Sequence, residues 1–180
     1  MAPHPSWSQI KAQLAVLDKS ALLELIKALY QLNADNKVFL TSRLTFSQPE
    51  ALAEPYKRAI QREFNSEGGF PRLNLQSARK ALNSFKKASS DPGAIIDMLL
   101  YYVEQGVSCT CQYGDIDESF YSSLESAFSE AVKLVYKVNS SEMTETFRPR
   151  FERIVASTSG IGWGFHDYLS HVYYTEYPSK

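Results

Sequence analysis

Residues 91–105, DPGAIIDMLLYYVEQ, decide the fold because they predict a helix that is apolar on nearly every side. Asp91 followed by Pro92 is typical of a helix N-terminus, where the carboxylate caps free N–H groups and the missing proline N–H costs little. A helix without a polar face has to be surrounded by other elements. We therefore place this segment at the centre of the core and expect it to end at Gly106, since glycine often follows a helix.

The next residues, 107–113 (VSCTCQY), alternate like a β-strand. A lone strand leaves backbone groups unpaired, and residues 171–175 (HVYYT) are the best candidate partner. Without that partner the segment is an extended connector.

The chain then turns into a long helix that runs to about Val138. Gly114 supplies the backbone freedom for the turn. Asp117 is well placed as the N-cap, and Glu118 lies in the first turn, where the helix dipole favours negative charge. This corner explains Gly114, Asp117 and Glu118 without a ligand, and it leaves Tyr113, Asp115 and Tyr121 as candidates for a binding cleft.

Helical patterns also dominate the rest of the chain. Ser47 and Glu50 form a capping box for a helix that Pro55 should bend or restart, Pro149 should interrupt a later helix, and glycines make residues 157–165 a hinge. Further helix starts are predicted at Asp18 and Asn74. We predict a single all-α domain of about seven or eight helices, with at most one short extended pair. Its expected parts are a candidate N-terminal helical subdomain (1–46) and a main helical core (47–180).

Composition points to an ordinary globular protein, with 44% hydrophobic residues, 22% charged residues and a net charge of −1. The start lacks a secretory signal pattern, the most apolar stretch is too short to span a bilayer, and there are only two cysteines. We therefore expect a soluble, cytoplasmic protein without membrane contact.

Charge is unevenly distributed along the chain. Residues 57–87 contain eight Lys or Arg and two Glu, whereas residues 91–130 contain eight acidic residues and no Lys or Arg. Such segments should attract each other within one molecule or between two. The basic face at 79–87 suits phosphates, but the near-neutral total and the lack of interleaved aromatics argue against nucleic acid.

Two other constellations have both a structural and a functional interpretation. Asp97, Tyr101 and Glu104 share one stripe of the central helix, so they need either basic partners from neighbouring helices or a polar pocket. Cys109 and Cys111 could join distant histidines around zinc, but the C-x-C spacing is weak and favours two free thiols on the inner face of an extended segment. We assign no catalytic residue, no metal ligand and no cofactor.

Several segments resemble a family of small bacterial proteins known only as a domain of unknown function. They include LLELIKALYQLNADNKVFL, YKRAIQREF, ALNSFKK, LLYYVEQG and above all YGDIDESFYSSLESA. The likeness covers roughly residues 18–135 and does not extend to the first dozen or the last forty residues. It implies that the charged and tyrosine positions matter beyond this chain, but it carries no activity, and the two cysteines lie outside its pattern. The matching positions are Phe85, Lys86, Lys87, Tyr102, Val103, Glu104, Gly106, Tyr113 to Glu118, Phe120 and Tyr121.

The leading functional hypothesis is a non-catalytic protein-binding or adaptor module that contacts a protein partner or a second copy of itself. Tyrosine and charged side chains give specificity at such contacts. The alternative is a hydrolase or metal-assisted enzyme that uses the carboxylates of Glu104, Asp115, Asp117 and Glu118. The expected binding residues are Lys86, Lys87, Glu104, Tyr113, Asp115, Asp117, Glu118 and Tyr121.

Overall fold

The computed structural model describes residues 4–44, 49–65 and 69–178, with side chains from Leu52 onward in the fourth helix. The predicted all-α fold is confirmed: these residues form nine helices and no strand, against the seven or eight helices expected. The helices are α1 (Trp7–Ala15), α2 (Lys19–Leu32), α3 (Ala34–Leu44), α4 (Pro49–Phe64), α5 (Leu75–Ala88), α6 (Pro92–Tyr113), α7 (Glu118–Val138), α8 (Ser141–Ser157) and α9 (Phe165–Glu176).

Helix α6 is the centre of the core, as its sequence, apolar on nearly every side, predicts. Helices α4, α5, α7 and α8 pack around it, and α9 packs on α7 and α8. Ile96, Leu99, Leu100 and Val103 are fully buried. The helix therefore contributes apolar side chains to every surrounding interface, which is why no polar face is needed.

The expected end of this helix at Gly106 is wrong, because α6 continues for two more turns to Tyr113. Gly106 is instead the point where α7 crosses: an ideal Cβ built there would lie 2.6 Å from Cδ1 and 3.0 Å from Cγ of Leu124. The expected strand at 107–113 is wrong for the same reason. Val107 and Thr110 continue the buried helical face past the glycine, and the proposed strand partner lies in α9.

The predicted helix starts are confirmed. The side chains of Asp18, Asn74 and Asp91 accept hydrogen bonds from backbone N–H groups of the first turns of α2, α5 and α6, at 2.8, 3.0 and 2.9 Å. These caps are local interactions, so a short stretch of sequence determines them. The capping box of Ser47 and Glu50 lies outside the described residues and side chains.

The expected interruption at Pro149 is wrong, since α8 runs through it without a break, and α4 likewise continues through Pro55. A proline inside a helix removes a hydrogen bond and costs about 3 kcal/mol. Buried side chains beyond the prolines, Ile60 in α4 and Phe151 in α8, hold both helices on the core and offset that cost. The glycine-containing hinge is confirmed as the connection between α8 and α9.

Helices α1, α2 and α3 form an N-terminal arm (Trp7–Leu44) on one side of this core. The arm is attached through α3, where Val38 is buried and Ser42 Oγ donates to the carbonyl of Ala88 at 3.0 Å. Neither α1 nor α2 has a buried residue. The arm is therefore attached through α3 at the C-terminal end of α5.

Candidate functional site

The corner between α6 and α7 is built by its own backbone. Gly114 has a left-handed φ of +88° and donates its N–H to Thr110 O at 2.9 Å, which closes α6. Asp117 then caps α7 by accepting from Phe120 N at 2.9 Å and from the Ser119 hydroxyl at 2.6 Å. The Ser119 hydrogen bond, supported by the backbone N–H, lowers the pKa of the Asp117 carboxyl. The predicted turn and cap are confirmed, and Glu118 lies in the first turn as expected.

Tyr121 holds the corner from inside. Its side chain is buried, and its hydroxyl lies 2.7 Å from Thr110 Oγ1 and donates to Asp115 Oδ1 at 3.1 Å. It also accepts the N–H of Ile116 at 3.4 Å. Burial raises the pKa of Tyr121, so the phenol stays protonated and can keep donating. Tyr121 positions the exposed Asp115 and does not itself reach the surface.

Two further loops meet this corner. The Tyr113 ring packs against Phe70 with centroids 5.2 Å apart, and its hydroxyl donates to Gly69 O at 3.3 Å. On the other side, an ideal Cβ on Gly162 would lie 3.0 Å from Asp115 Oδ2, so the α8–α9 connection touches the carboxylate. The corner is therefore one part of a surface made by three loops.

This surface displays two aromatic side chains that the sequence analysis missed. Phe70 is 70% exposed and Trp163 is 59% exposed. A signal was available, because each stands beside glycine (GGF and GWG) in a segment with no helical face to bury it. We call the surface of Phe70, Tyr113, Asp115, Asp117, Glu118 and Trp163 the corner surface.

The other predicted binding residues lie elsewhere. Glu104 is separated from Tyr113 by about 14 Å along α6, and both its oxygens accept from Arg150, at 2.6 and 2.7 Å. Lys86 forms an ion pair with Glu130, about 18 Å along α7 from the corner. Lys87 is exposed in the last turn of α5. The structure thus brings together the corner residues but not the two lysines or Glu104.

The polar stripe of α6 has the basic partners expected from neighbouring helices. Asp97 pairs with Lys57 of α4 at 2.7 Å and with Arg150 of α8 at 2.5 Å. The Lys57 ammonium also lies 5.2 Å from the Tyr101 ring centroid. Burial raises the pKa of Asp97, but the Lys57 hydrogen bond and both positive charges outweigh it and hold the pKa below its usual range. The predicted attraction between the basic and acidic segments is confirmed by the Lys57–Asp97 and Lys86–Glu130 pairs.

The two cysteines are free thiols, but they do not share the inner face of an extended segment as expected. The helix directs them apart, so that Cys109 is buried and Cys111 is exposed. Burial raises the pKa of the Cys109 thiol to about 11. Within the described ranges, no three His, Cys, Asp or Glu side chains are grouped as metal ligands would be.

No helix in the described part of the chain is long and apolar enough to cross a membrane. The fold and the corner define an all-α helical-bundle protein with an acidic, aromatic surface at one end. The chain belongs to the family described as "Family of unknown function (DUF6155)", whose model matches residues 6–175. The match confirms the resemblance seen in the sequence and corrects its extent, because nearly the whole chain follows the family pattern. No curated protein and no solved structure matches it.

Replacing Asp117 with alanine should lower the free energy of unfolding by about 1 kcal/mol, because two hydrogen bonds at the start of α7 are lost. Asp117→Asn is the matched control, since asparagine is an equally good N-cap and should leave the midpoint of urea unfolding nearly unchanged. Equal midpoints for the two variants would contradict the capping role.

Proposed function

We propose that this protein is a non-catalytic, cytoplasmic protein-binding module that contacts its partner through the corner surface. The observation that carries the proposal is the pair of exposed aromatic side chains, Phe70 and Trp163, in two loops that contact an acidic corner. Large aromatic residues dominate the binding energy of protein interfaces, and tryptophan and tyrosine are the most enriched among them.

One residue at or near each of these aromatic positions has a constrained backbone. Leu73 and Trp163 are non-glycine residues with left-handed φ values of +49° and +62°. Such backbone costs roughly 1–2 kcal/mol per residue and persists only where the surroundings hold it. The hydrogen bonds of Tyr121 and Tyr113 fix the corner between these loops. A surface that is already ordered loses less conformational entropy when a partner binds.

The negative charges of the corner surface favour a positively charged partner. Asp115, Asp117 and Glu118 are exposed side by side. The exposed Trp163 indole offers a face on which an arginine guanidinium can stack. We therefore expect the partner to present a basic segment, with arginine or lysine close to apolar side chains.

A double variant, Phe70→Ala/Trp163→Ala, should reduce recovery of the partner by at least about tenfold. The measurement is a quantitative pull-down from a lysate of the native source with the tagged chain. The matched control is Tyr136→Ala/Tyr174→Ala, which removes two aromatics that are also exposed, on α7 and α9.

Recovered proteins should be lost with the first pair and retained with the second. They should also elute as salt is raised, because exposed charges are screened. Recovery of the same proteins by wild type and the Phe70/Trp163 variant would refute the assignment of this surface.

A further inference from the structure

We propose that the N-terminal arm is a dimerisation element whose apolar surface is covered by the arm of a second copy of this chain. The starting observation is that α1 and α2 contain no buried residue, although both are well-formed helices. Their ends are fixed by a capping box at Ser6 and Gln9 and by the Asp18 cap. The sequence therefore specifies a helical arm.

Helices of this length are not stable by themselves. Isolated helices shorter than about 12–15 residues are marginal in water, and most helical stability comes from packing of an apolar face. Helix α1 has 9 residues and α2 has 14. Within the described part of the chain, α2 packs mainly on α3 and has no buried residue. Its apolar face needs another cover.

That face is wide. The side chains of Ser20, Glu24, Lys27 and Gln31 follow the spacing of one narrow polar stripe, and the rest of α2 is apolar apart from Lys19 at its first position. Part of the apolar side opens into a groove of about 420 Å³ between α2 and α3. Leu23, Ile26, Tyr30, Leu40 and Leu44 line this groove.

The amount of apolar surface is what a stable dimer requires. Twelve large apolar side chains between Trp7 and Leu44 are 39–79% exposed. Together they present on the order of 1,000 Å² of side-chain surface per chain, whereas a standard interface buries about 800 Å² per partner. The arm alone can therefore provide a complete interface.

The charges favour a second copy as the occupant. The arm contains five Lys or Arg and three Asp or Glu, so it has no strong charge to recruit an oppositely charged partner. The charged residue of the groove, Lys27, already pairs with Glu24 at 3.3 Å. A two-fold axis brings an identical patch to each copy, so an uncharged apolar surface is matched by an equal one.

The dimer leaves the corner surface accessible. Helix α3 joins the body at Ala88, the last residue of α5, whereas Tyr113 contacts the loop before the first residue of α5. These ends are about 20 Å apart along the helix. A dimer joined by its arms would present two corner surfaces and would gain avidity for a partner with two basic segments.

The test is sedimentation velocity of the full chain at concentrations from 1 to about 100 µM, where a standard interface is populated. The mass obtained for the wild type should be twice the 20.3 kDa of one chain. Ile26→Glu/Leu29→Glu places two charges in the middle of the apolar side of α2 and should weaken dimerisation by about 100-fold or more. Ser20→Glu/Gln31→Glu adds the same charges to the polar stripe of the same helix and should remain dimeric.

Neither Ile26 nor Leu29 is buried, so the variants should keep the helical content and core stability of the wild type, which circular dichroism checks. A monomeric wild type, or an Ile26/Leu29 variant that dimerises as the wild type does, would overturn the proposal. The proposed function fails separately, because Phe70→Ala/Trp163→Ala should lose the partner and still dimerise.

Discussion

Replacing Gly106 with valine should lower the free energy of unfolding by about 3 kcal/mol or more. A Cβ at this position would lie 2.6 Å from Cδ1 of Leu124, a fully buried side chain where α6 and α7 cross. Valine adds two more methyl groups, so either Leu124 leaves its place or the helices separate. The gain in helix propensity over glycine, well under 1 kcal/mol, is too small to compensate.

Urea unfolding followed by circular dichroism measures this effect, and two further variants separate its causes. Gly106→Ala should lose about 1 kcal/mol, since a single methyl group is partly offset by higher helix propensity. Leu124→Ala should lose about 2–5 kcal/mol by leaving a cavity. The Gly106→Ala/Leu124→Ala double variant should lose less stability than the two single variants lose together, because the alanine methyl group at position 106 occupies part of the cavity left by Leu124. If the two losses add exactly, or if the Gly106→Val protein is as stable as the wild type, the close contact between Gly106 and Leu124 does not limit the residue at position 106.

Replacing Arg150 with methionine should lower the free energy of unfolding by about 2–3 kcal/mol. Arg150 links α8 to the carboxylates of Asp97 and Glu104 in α6, and its removal deprives the half-buried Glu104 of the cation that contacts it. The expected decrease in the free energy of unfolding is smaller than for a fully buried ion pair, because water reaches part of the site. The measurement is urea unfolding at pH 7. Adding Glu104→Gln to Arg150→Met should restore part of the stability, and no recovery would indicate that lost packing dominates.

The same ion pairs should make the free energy of unfolding depend on pH in the acid range. Asp97 has a pKa below its usual range in the folded protein, so the unfolded chain binds its proton first as the pH falls. Its stabilising effect is therefore complete above about pH 4, the ordinary value for aspartate, and is lost as the pH drops through the folded pKa. We expect Arg150→Met to reduce this loss of stability as the pH falls below about 4. If the free energy of unfolding of Arg150→Met falls with pH as steeply as that of the wild type in this acid range, the role of Arg150 is contradicted.

Much of the fold follows from short stretches of sequence. The N-caps at Asp18, Asn74, Asp91 and Asp117 were predictable because a cap bonds to backbone only two or three residues away. The central position of α6 follows equally directly from its lack of a polar face. The need for basic partners of Asp97 was also predictable, since a half-buried carboxylate requires compensation.

The candidate site was only partly predictable. Its corner residues lie close together in the sequence, so Tyr113, Asp115, Asp117 and Glu118 could be proposed together. Phe70 and Trp163 come from distant loops, and their exposure depends on how the helices pack. Glu104 and the two lysines carried suitable chemistry, but other elements engage Glu104 and Lys86: Arg150 and Glu130.

The sequence by itself determined where helices begin, which helix lies at the centre and which charges require partners, because these depend on local hydrogen bonds and on burial of apolar side chains. Only the tertiary structure decided that Gly106 is a crossing point and that α8 continues through Pro149. It also decided that α2 contributes no buried residue to the core. The physical reason is that each outcome depends on a packing partner many residues away, and a close contact between two helices can override the local preference of either one.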